Sequence, residues 1–147
     1  EILSVALDGA FILAQAVLPS MIARGGGALV GLSGISTHVG TPNRAHVSAS
    51  KSGLEGLMRA IAIEFAEHNI RANCVAPGAI LNERTAEEQP DYADTWARIT
   101  PLRRVGTAED ISGPVLFFAS DAARFVTGQT IWVDGGVFSQ ANWPYEG

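Results

Sequence analysis

The residue that points most directly to chemistry is Lys51, in the stretch RAHVSASKSG at residues 44–53. Apolar residues recur around it at the spacing of one helix face, so this stretch predicts the start of a long helix. Position 47, one turn earlier on the same face, holds a valine. The spacing leaves two interpretations open. Either Lys51 has a role in a catalytic or binding site, or it extends its charged end to water along an apolar helix.

Two histidines near this lysine suit proton transfer, because imidazole titrates near neutral pH. His46 precedes Lys51 by five residues, which is about 140° round an ideal helix. It therefore shares the face of Lys51 only if the first turn is distorted. His38 lies in a predicted loop that follows a short apolar run. The alternative, that both are ordinary polar residues of a loop and a helix surface, stays open.

Composition limits the other classes of function. The net charge is −5 and the basic residues are scattered, which argues against a nucleic-acid partner. The three histidines and one cysteine show no metal-ligand spacing. Cys74 is predicted to be a small buried residue in a reducing compartment, so we expect a cytoplasmic protein. No uninterrupted apolar run reaches the length of a membrane span, so no membrane association is expected.

Helical and strand patterns alternate along the chain. Helices are predicted at 2–23, at 44–67 and from Thr107 to about Ala119, with a partly helical segment at 83–99, and strands at 28–33, 70–76 and 129–134. Thr107 and Asp110 form a capping-box pattern that opens the last of these helices. This alternation predicts an α/β fold with a parallel sheet and helices on both faces. Three strands are few for a sheet buried on two sides, so the chain is interpreted as half of a doubly wound domain.

Several segments agree, in order and spacing, with one known family. They are GALVGLSG, SASKSGLEGL, AIEFAEHNIRANCVAPGAI and PLRRVGTAEDISGPVLFFASDAARFVTGQTIWVDGG. Over residues 3–137 the chain resembles the second half of the short-chain dehydrogenase/reductase family. The resemblance implies a Rossmann-type sheet that binds NAD or NADP, with residues 1–147 as the C-terminal part of one such domain. A glycine-rich phosphate-binding fingerprint does not occur in this sequence, and the abrupt start suggests part of a longer protein.

The same resemblance exposes three departures from the family's catalytic pattern. The family uses a tyrosine as acid and base, a lysine four residues later, a serine that steadies the substrate oxygen and an asparagine that relays protons. Lys51 matches the lysine. Val47, Gly34 and Ala6 stand where the tyrosine, serine and asparagine are expected. A positioned acid–base group such as this tyrosine accelerates a reaction about 10²–10⁴-fold. The absence of the tyrosine at position 47 should therefore slow the reaction unless another group replaces it.

Polar residues close to these positions are the candidates for the expected site. His46, His38 and Ser33 are the candidates to replace the missing groups, and Lys51 is expected to hold the nicotinamide ribose. The loop PGAILN resembles the family's nicotinamide loop, which assigns cofactor contacts to Pro77, Gly78, Ile80 and Asn82. Residues 83–99 would then form a lid over the substrate, with Tyr92 and Trp96 either lining the pocket or anchoring the lid.

The resemblance therefore implies an NAD(P)-dependent oxidoreductase that acts on a small carbonyl or alcohol substrate, here with a non-standard proton donor. The alternative is a cofactor-binding or assembly subunit without catalysis, because positions 6, 34 and 47 lack the expected polar groups. The long helices 2–23 and 44–67 resemble the family's dimer-forming pair. A homodimer or homotetramer is therefore expected.

Overall fold

In the part of the chain that the structure describes, the sheet has three parallel strands in the order in which they occur along the chain. The computed structural model describes residues 1–141. The strands are β1 (Gly27–Leu32), β2 (Ile70–Pro77) and β3 (Thr130–Val133), with β2 in the centre. Both strand pairs are parallel, which confirms the predicted α/β fold. The last residues of the proposed domain, 142–147, lie outside the described residues.

Within residues 1–141, five α-helices connect and flank the strands. They are α1 (Gly9–Ala23, continuing from a π-helical turn at Ser4–Asp8), α2 (Ala45–Glu64), α3 (Glu83–Glu88), α4 (Tyr92–Ile99) and α5 (Ala108–Ala119). The predicted helix at 2–23 is present throughout. The predicted helix at 44–67 is shorter, since α2 ends at Glu64 and a 3-10 turn follows at Ala66–His68.

Apolar side chains cover the sheet on both faces, as the alternating pattern predicts. Helices α1 and α2 pack on one face, where Leu54, Met58 and Ile61 meet the small residues of β2. Helix α5 packs on the other face through the fully buried Phe118. The Arg71 guanidinium, from β2, donates to the carbonyl oxygen of Phe118 at 2.8 Å and so fixes the end of α5.

Helix α1 is less buried than its apolar spacing suggests. Only Ala14 and Leu18 are buried, whereas Ile12 and Leu13 are 63% and 61% exposed. By length and composition alone, the segment Ser4–Ala23 is apolar enough to cross a membrane. Core helices of soluble proteins and signal sequences pass the same test, so this is weak evidence. The absence of membrane association therefore stays a prediction.

Two helices begin at capping boxes. In such a box, each of two residues accepts a hydrogen bond, with its side chain, from the backbone amide of the other. The predicted box between Thr107 and Asp110 opens α5. A second box, between Asn82 and Thr85, opens α3. Both helices start just beyond the carboxyl ends of the strands, so these caps shape the edge of the sheet at which ligands bind in parallel α/β folds.

Candidate active site at the carboxyl edge of the sheet

Lys51 reaches the carboxyl end of β1. Helix α2 runs back along the sheet, and the Lys51 Nζ donates a hydrogen bond of 2.6 Å to the carbonyl oxygen of Leu32, the last residue of β1. The side chain is half-buried. Burial lowers the pKa of Lys51, and the nearby Cys74 thiol offsets part of this effect. The ammonium therefore lies at the edge of the sheet and is partly removed from water.

The positions that lack polar groups adjoin this lysine. Val47 is half-buried one turn earlier on α2. Gly34 has an extended backbone, and a Cβ added there would lie 3.8 Å from the Ser36 Oγ and 4.0 Å from the Pro77 carbonyl oxygen. These are ordinary contacts, so a side chain would fit at position 34. The loops after β1 and β2 are therefore close together, and the sites of the expected serine and tyrosine carry no proton donor.

Ser33 turns away from this edge. The residue is buried at 6% exposure, and its hydroxyl faces the carbonyl oxygen of Val75 at 3.5 Å. Its backbone amide donates to the same oxygen at 2.9 Å. The hydroxyl therefore joins β1 to β2, and the catalytic role expected for Ser33 stays a prediction that this contact does not favour.

The two histidines occupy different surroundings beside α2. His38 Nε2 is 3.3 Å from the Glu55 Oε2, and its ring packs edge-on against Trp132, with ring centres 4.6 Å apart. His46 is exposed on the first turn of α2. Within residues 1–141, no hydrogen bond joins either histidine to Lys51. The structure thus gives His38 a packed position beside the sheet, and both histidines stay untested as proton carriers.

Glu55 is a buried carboxylate that the sequence did not single out. It is 3% exposed, and its Oε2 atom lies 3.3 Å from the His38 Nε2 and 3.9 Å from an Arg59 guanidinium nitrogen. Its Oε1 atom has no hydrogen-bond partner among the described residues. The signal was present, because a glutamate interrupts the apolar stripe of α2 between Leu54 and Met58. Burial, followed by the Glu55 charge, raises the pKa of the Cys74 thiol to about 12.

The bend after β2 is held tightly against β3. The backbone amide of Gly78 donates to the carbonyl oxygen of Val133 at 2.9 Å. A Cβ at Gly78 would lie 2.7 Å from the Cα of Asp134, so only glycine allows this close approach. Asn82, predicted to bind the cofactor, uses its Oδ1 to accept the Thr85 backbone amide at 2.9 Å. Its main contact is therefore the cap of α3.

Tyr92 is the first residue of α4 and is half-buried. Its ring lies beside that of Trp96, with centres 6.0 Å apart. Burial raises the pKa of the Tyr92 phenol, whereas the backbone amide of Ile80 and the charge of Arg44 act in the opposite direction.

An open groove of about 550 Å³ lies next to this edge, beyond the end of β3. Its walls include Thr100, Leu102, Arg104, Trp132 and Asp134. The Asp134 carboxylate accepts the backbone amides of Gly136 and Phe138, which fixes the loop after β3. Within residues 1–141, no three His, Cys, Asp or Glu side chains are grouped so as to hold a metal ion.

The chain matches one protein-family model over residues 1–138, described as enoyl-(acyl carrier protein) reductase. It is 40% identical over 135 residues to the L-rhamnose 1-dehydrogenase (NAD(P)(+)) of Sphingomonas, covering 90% of this chain and 53% of that protein. It is 38% identical over 138 residues to the 3-oxoacyl-[acyl-carrier-protein] reductase FabG of Staphylococcus epidermidis, covering 94% of this chain and 57% of that one.

Solved structures agree with the sequence matches. The gluconate 5-dehydrogenase of Burkholderia cenocepacia, solved in complex with NADP and tartrate, superposes with a TM-score of 0.86 at 35% identity. That match covers 92% of this chain and 54% of the dehydrogenase. A protein described as a short chain dehydrogenase/reductase family protein superposes with a TM-score of 0.85 at 38% identity, covering 92% of this chain and 55% of the other. The chain spans about half the length of the curated relatives it matches.

Proposed function

The chain belongs to the short-chain dehydrogenase/reductase family, and on that premise we propose that its protein is an NAD(P)-dependent oxidoreductase acting on a small alcohol or carbonyl compound. One observation carries this proposal: the Lys51 Nζ lies 2.6 Å from the carbonyl oxygen of Leu32. This places a fixed cation at the carboxyl end of β1, the edge at which parallel α/β sheets bind nucleotides.

The residues at this edge fit a nicotinamide nucleotide. The Lys51 ammonium carries three donor hydrogens and uses one on Leu32, which leaves two for the ribose hydroxyls. Gly78 draws the loop after β2 against β3, and the bend with Pro77 can then border the nicotinamide, with Ile80 further along the same loop. Asn82 contributes by capping α3, and its amide nitrogen is left to donate to the cofactor. The bound cofactor supplies or accepts the hydride.

The substrate class follows from the relatives. Their names describe oxidation of rhamnose and galactitol and reduction of a 3-oxoacyl group. Each of these reactions interconverts a hydroxyl and a carbonyl group. We propose the same type of reaction for this protein, on a substrate that enters beside the segment of α3 and α4.

The test is a spectrophotometric assay of the full-length protein. Reduction of ketones and oxidation of sugars, polyols and sugar acids would be followed by the absorbance of reduced nicotinamide, with NAD and NADP in parallel. Turnover with at least one substrate is the expected result. Tight binding of NAD or NADP without turnover of any substrate would favour the non-catalytic subunit instead, in line with the missing groups at positions 6, 34 and 47.

We further propose a homodimer or homotetramer in which α1 and α2 contribute to the contact. The exposed apolar side chains of α1 and of the π-helical turn before it, among them Val5, Ile12 and Leu13, support this proposal, because exposed apolar patches mark interaction surfaces. Analytical ultracentrifugation of the full-length protein at micromolar concentration tests the oligomeric state, and the detection of monomer alone would contradict this proposal. A cytoplasmic location is proposed from the single free cysteine, Cys74.

A further inference from the structure

The loop that follows β1 carries a histidine whose ring contacts three other parts of the fold. His38 comes directly after the 3-10 turn at Ile35–Thr37. Its Nε2 atom lies 3.3 Å from the Oε2 atom of Glu55, on α2. Its ring packs edge-on against Trp132, on β3, and against Phe138, in the loop after β3, with ring centres 4.6 and 5.6 Å apart. His38 therefore connects the loop after β1 to α2 and to β3.

The contact depends on a carboxylate that is unfavourable to bury. Glu55 is 3% exposed, and its Oε1 atom has no hydrogen-bond partner within residues 1–141. The nearest Arg59 nitrogen is 3.9 Å from Oε2, which is too far for a hydrogen bond. Because a carboxylate accepts hydrogen bonds, the Nε2–H of His38 is the donor in this pair. Loss of the imidazole would leave a buried carboxylate without a donor among the described residues, so the two residues depend on each other.

The same loop also borders the edge of the sheet at which ligands bind. The Thr37 hydroxyl donates to the carbonyl oxygen of Gly34 at 3.0 Å, and the Thr37 carbonyl oxygen accepts the exposed Ser52 hydroxyl at 3.3 Å. A Cβ at Gly34 would lie 4.0 Å from the carbonyl oxygen of Pro77, in the bend proposed to border the nicotinamide. Only four residues separate Gly34 from His38, so a displacement of His38 would also move the backbone at this edge.

Glu55 is placed close to the residue assigned to the cofactor. It follows Lys51 by four residues on α2, so the two side chains lie on the same face of the helix. Lys51 contacts the carbonyl oxygen of Leu32 at the end of β1. The loop after β1 is therefore fastened about one helical turn away from the ammonium proposed to hold the nicotinamide ribose.

We propose that Glu55 and His38 are positioning residues that hold the loop after β1 against α2, and so set where the substrate lies beside the nicotinamide. This inference rests on the proposed function. Glu55 accepts a hydrogen bond from the imidazole, and Trp132 fixes the orientation of the ring. His38 transfers no proton to the substrate. A displacement of reacting groups by about 1 Å can lower a rate about 10²-fold, so a loop that is held in place contributes to turnover without touching the reacting atoms.

The test uses the variants His38→Ala, His38→Gln and Glu55→Leu of the full-length protein, with a substrate that the assay above has identified. Glutamine keeps an N–H donor but does not titrate, so it can replace a positioning imidazole and cannot replace a proton carrier. We expect His38→Ala and Glu55→Leu each to lower kcat/KM about 10²-fold. His38→Gln should recover most of this loss. The double variant His38→Ala/Glu55→Leu should lose no more than either single variant, because both remove the same contact.

Two further measurements separate this role from a general loss of structure. The cofactor Kd should stay unchanged in every variant, because Lys51 keeps its place on α2. In the cofactor-free protein, hydrogen exchange of the amides of residues 35–39 should quicken in His38→Ala and Glu55→Leu but not in His38→Gln. Glu55→Leu leaves no buried charge, so the test does not depend on the stability of His38→Ala alone. His68→Ala, in the 3-10 turn beyond the other end of α2, is the control and should retain kcat/KM and the exchange rates.

Each contrary result has a distinct meaning. Retention of kcat/KM by His38→Ala and Glu55→Leu would overturn this inference and leave the proposed function intact. A His38→Gln variant as inactive as His38→Ala would overturn the positioning role and favour proton transfer by His38. Additive losses in the double variant would show that the two residues act independently, which also overturns it. Absence of turnover in the unmodified protein, despite bound cofactor, would overturn the proposed function itself. Unchanged exchange in His38→Ala would then show that the pair does not hold the loop.

Discussion

Helices α2 and α4 approach the same edge of the sheet but are held in different ways. Helix α2 has six buried residues and packs on β1 and β2, so the position of Lys51 is fixed by the core. Helix α4 is a short helix without a buried residue, and its half-buried Tyr92 and Trp96 lie on one face. Lys51 therefore belongs to the tightly packed part of the fold, whereas Tyr92 belongs to a more loosely packed segment.

The largest expected effect is on the free energy of unfolding, and it is seen by comparing one isoleucine in each helix. Ile61 of α2 is 3% exposed, and Ile99 of α4 is 51% exposed. Ile61→Ala should lower the free energy of unfolding by about 2–5 kcal/mol, because it leaves a cavity in the core. Ile99→Ala should change it by about 0.5 kcal/mol. Urea unfolding of the full-length protein measures both values, and similar losses would show that α4 is as firmly packed as α2.

Removal of the fixed charge on α2 should produce the next largest effect. Lys51→Met keeps the apolar stem and loses the hydrogen bonds from a charged group, which are worth about 1.5–3 kcal/mol. The cofactor Kd should therefore rise about 10- to 100-fold. Ser52→Ala, whose exposed hydroxyl donates to the Thr37 carbonyl oxygen, is the control and should leave Kd unchanged. Fluorescence titration with NADH and NADPH measures both, and a Kd within twofold of the unmodified protein for Lys51→Met would contradict the assigned role.

Substitutions in the bends that lead to the two helices should give a smaller difference in the free energy of unfolding. Gly78 follows β2 on the way to α3 and α4, and a Cβ there would lie 2.7 Å from the Asp134 Cα. Gly34 follows β1 on the way to α2, and a Cβ there meets only ordinary contacts. Gly78→Ala should cost about 1–3 kcal/mol by overpacking, and Gly34→Ala should be nearly neutral. Thermal unfolding of the two variants checks this, and a Gly34→Ala loss as large as that of Gly78→Ala would contradict it.

Sequence reasoning recovered the parts that local patterns determine. Alternating helix and strand patterns predicted the parallel sheet, and helical spacing predicted the segment that carries Lys51. The capping box at Thr107 and Asp110 was also predicted, because such a cap is local. The start of α3 at Asn82 had the same type of signal, Asn82 with Thr85 three residues later. The family resemblance drew attention to a cofactor role for Asn82, so the cap was missed.

Contacts between distant residues could not be predicted in this way. The bond between His38 and Glu55 joins residues that are 17 positions apart, and it depends on how the loop after β1 folds over α2. The inward turn of Ser33 depends on the register of β1 with β2. The position of the Tyr92 phenol depends on the turn between α3 and α4. Spacing identifies residues that share an element, whereas tertiary packing decides which side chains from different elements meet.

The smallest expected effect concerns the segment that leaves α4. Arg104 forms a bidentate contact with Asp110 at 2.6 and 2.7 Å, which ties this segment to the start of α5. The Arg104 guanidinium holds the pKa of the Asp110 carboxyl well below its usual range. A carboxylate whose pKa is depressed in the folded state stabilises that state when the pH is above the pKa of the unfolded chain, about 4. This stabilisation is lost as the pH falls below that value toward the pKa of the folded state.

Asp110→Asn should therefore lower the urea midpoint at about pH 7, and the difference should shrink as the pH falls toward about 3. Glu87→Gln, an exposed change on α3, is the control and should leave the midpoint in place. Because Arg104 anchors the end of the α4 segment, hydrogen exchange in Asp110→Asn should quicken for the amides of α4 and stay unchanged for those of α2. Equal acceleration in both helices would mean that α4 opens only when the whole domain unfolds, and α4 would then not be the more loosely packed of the two helices.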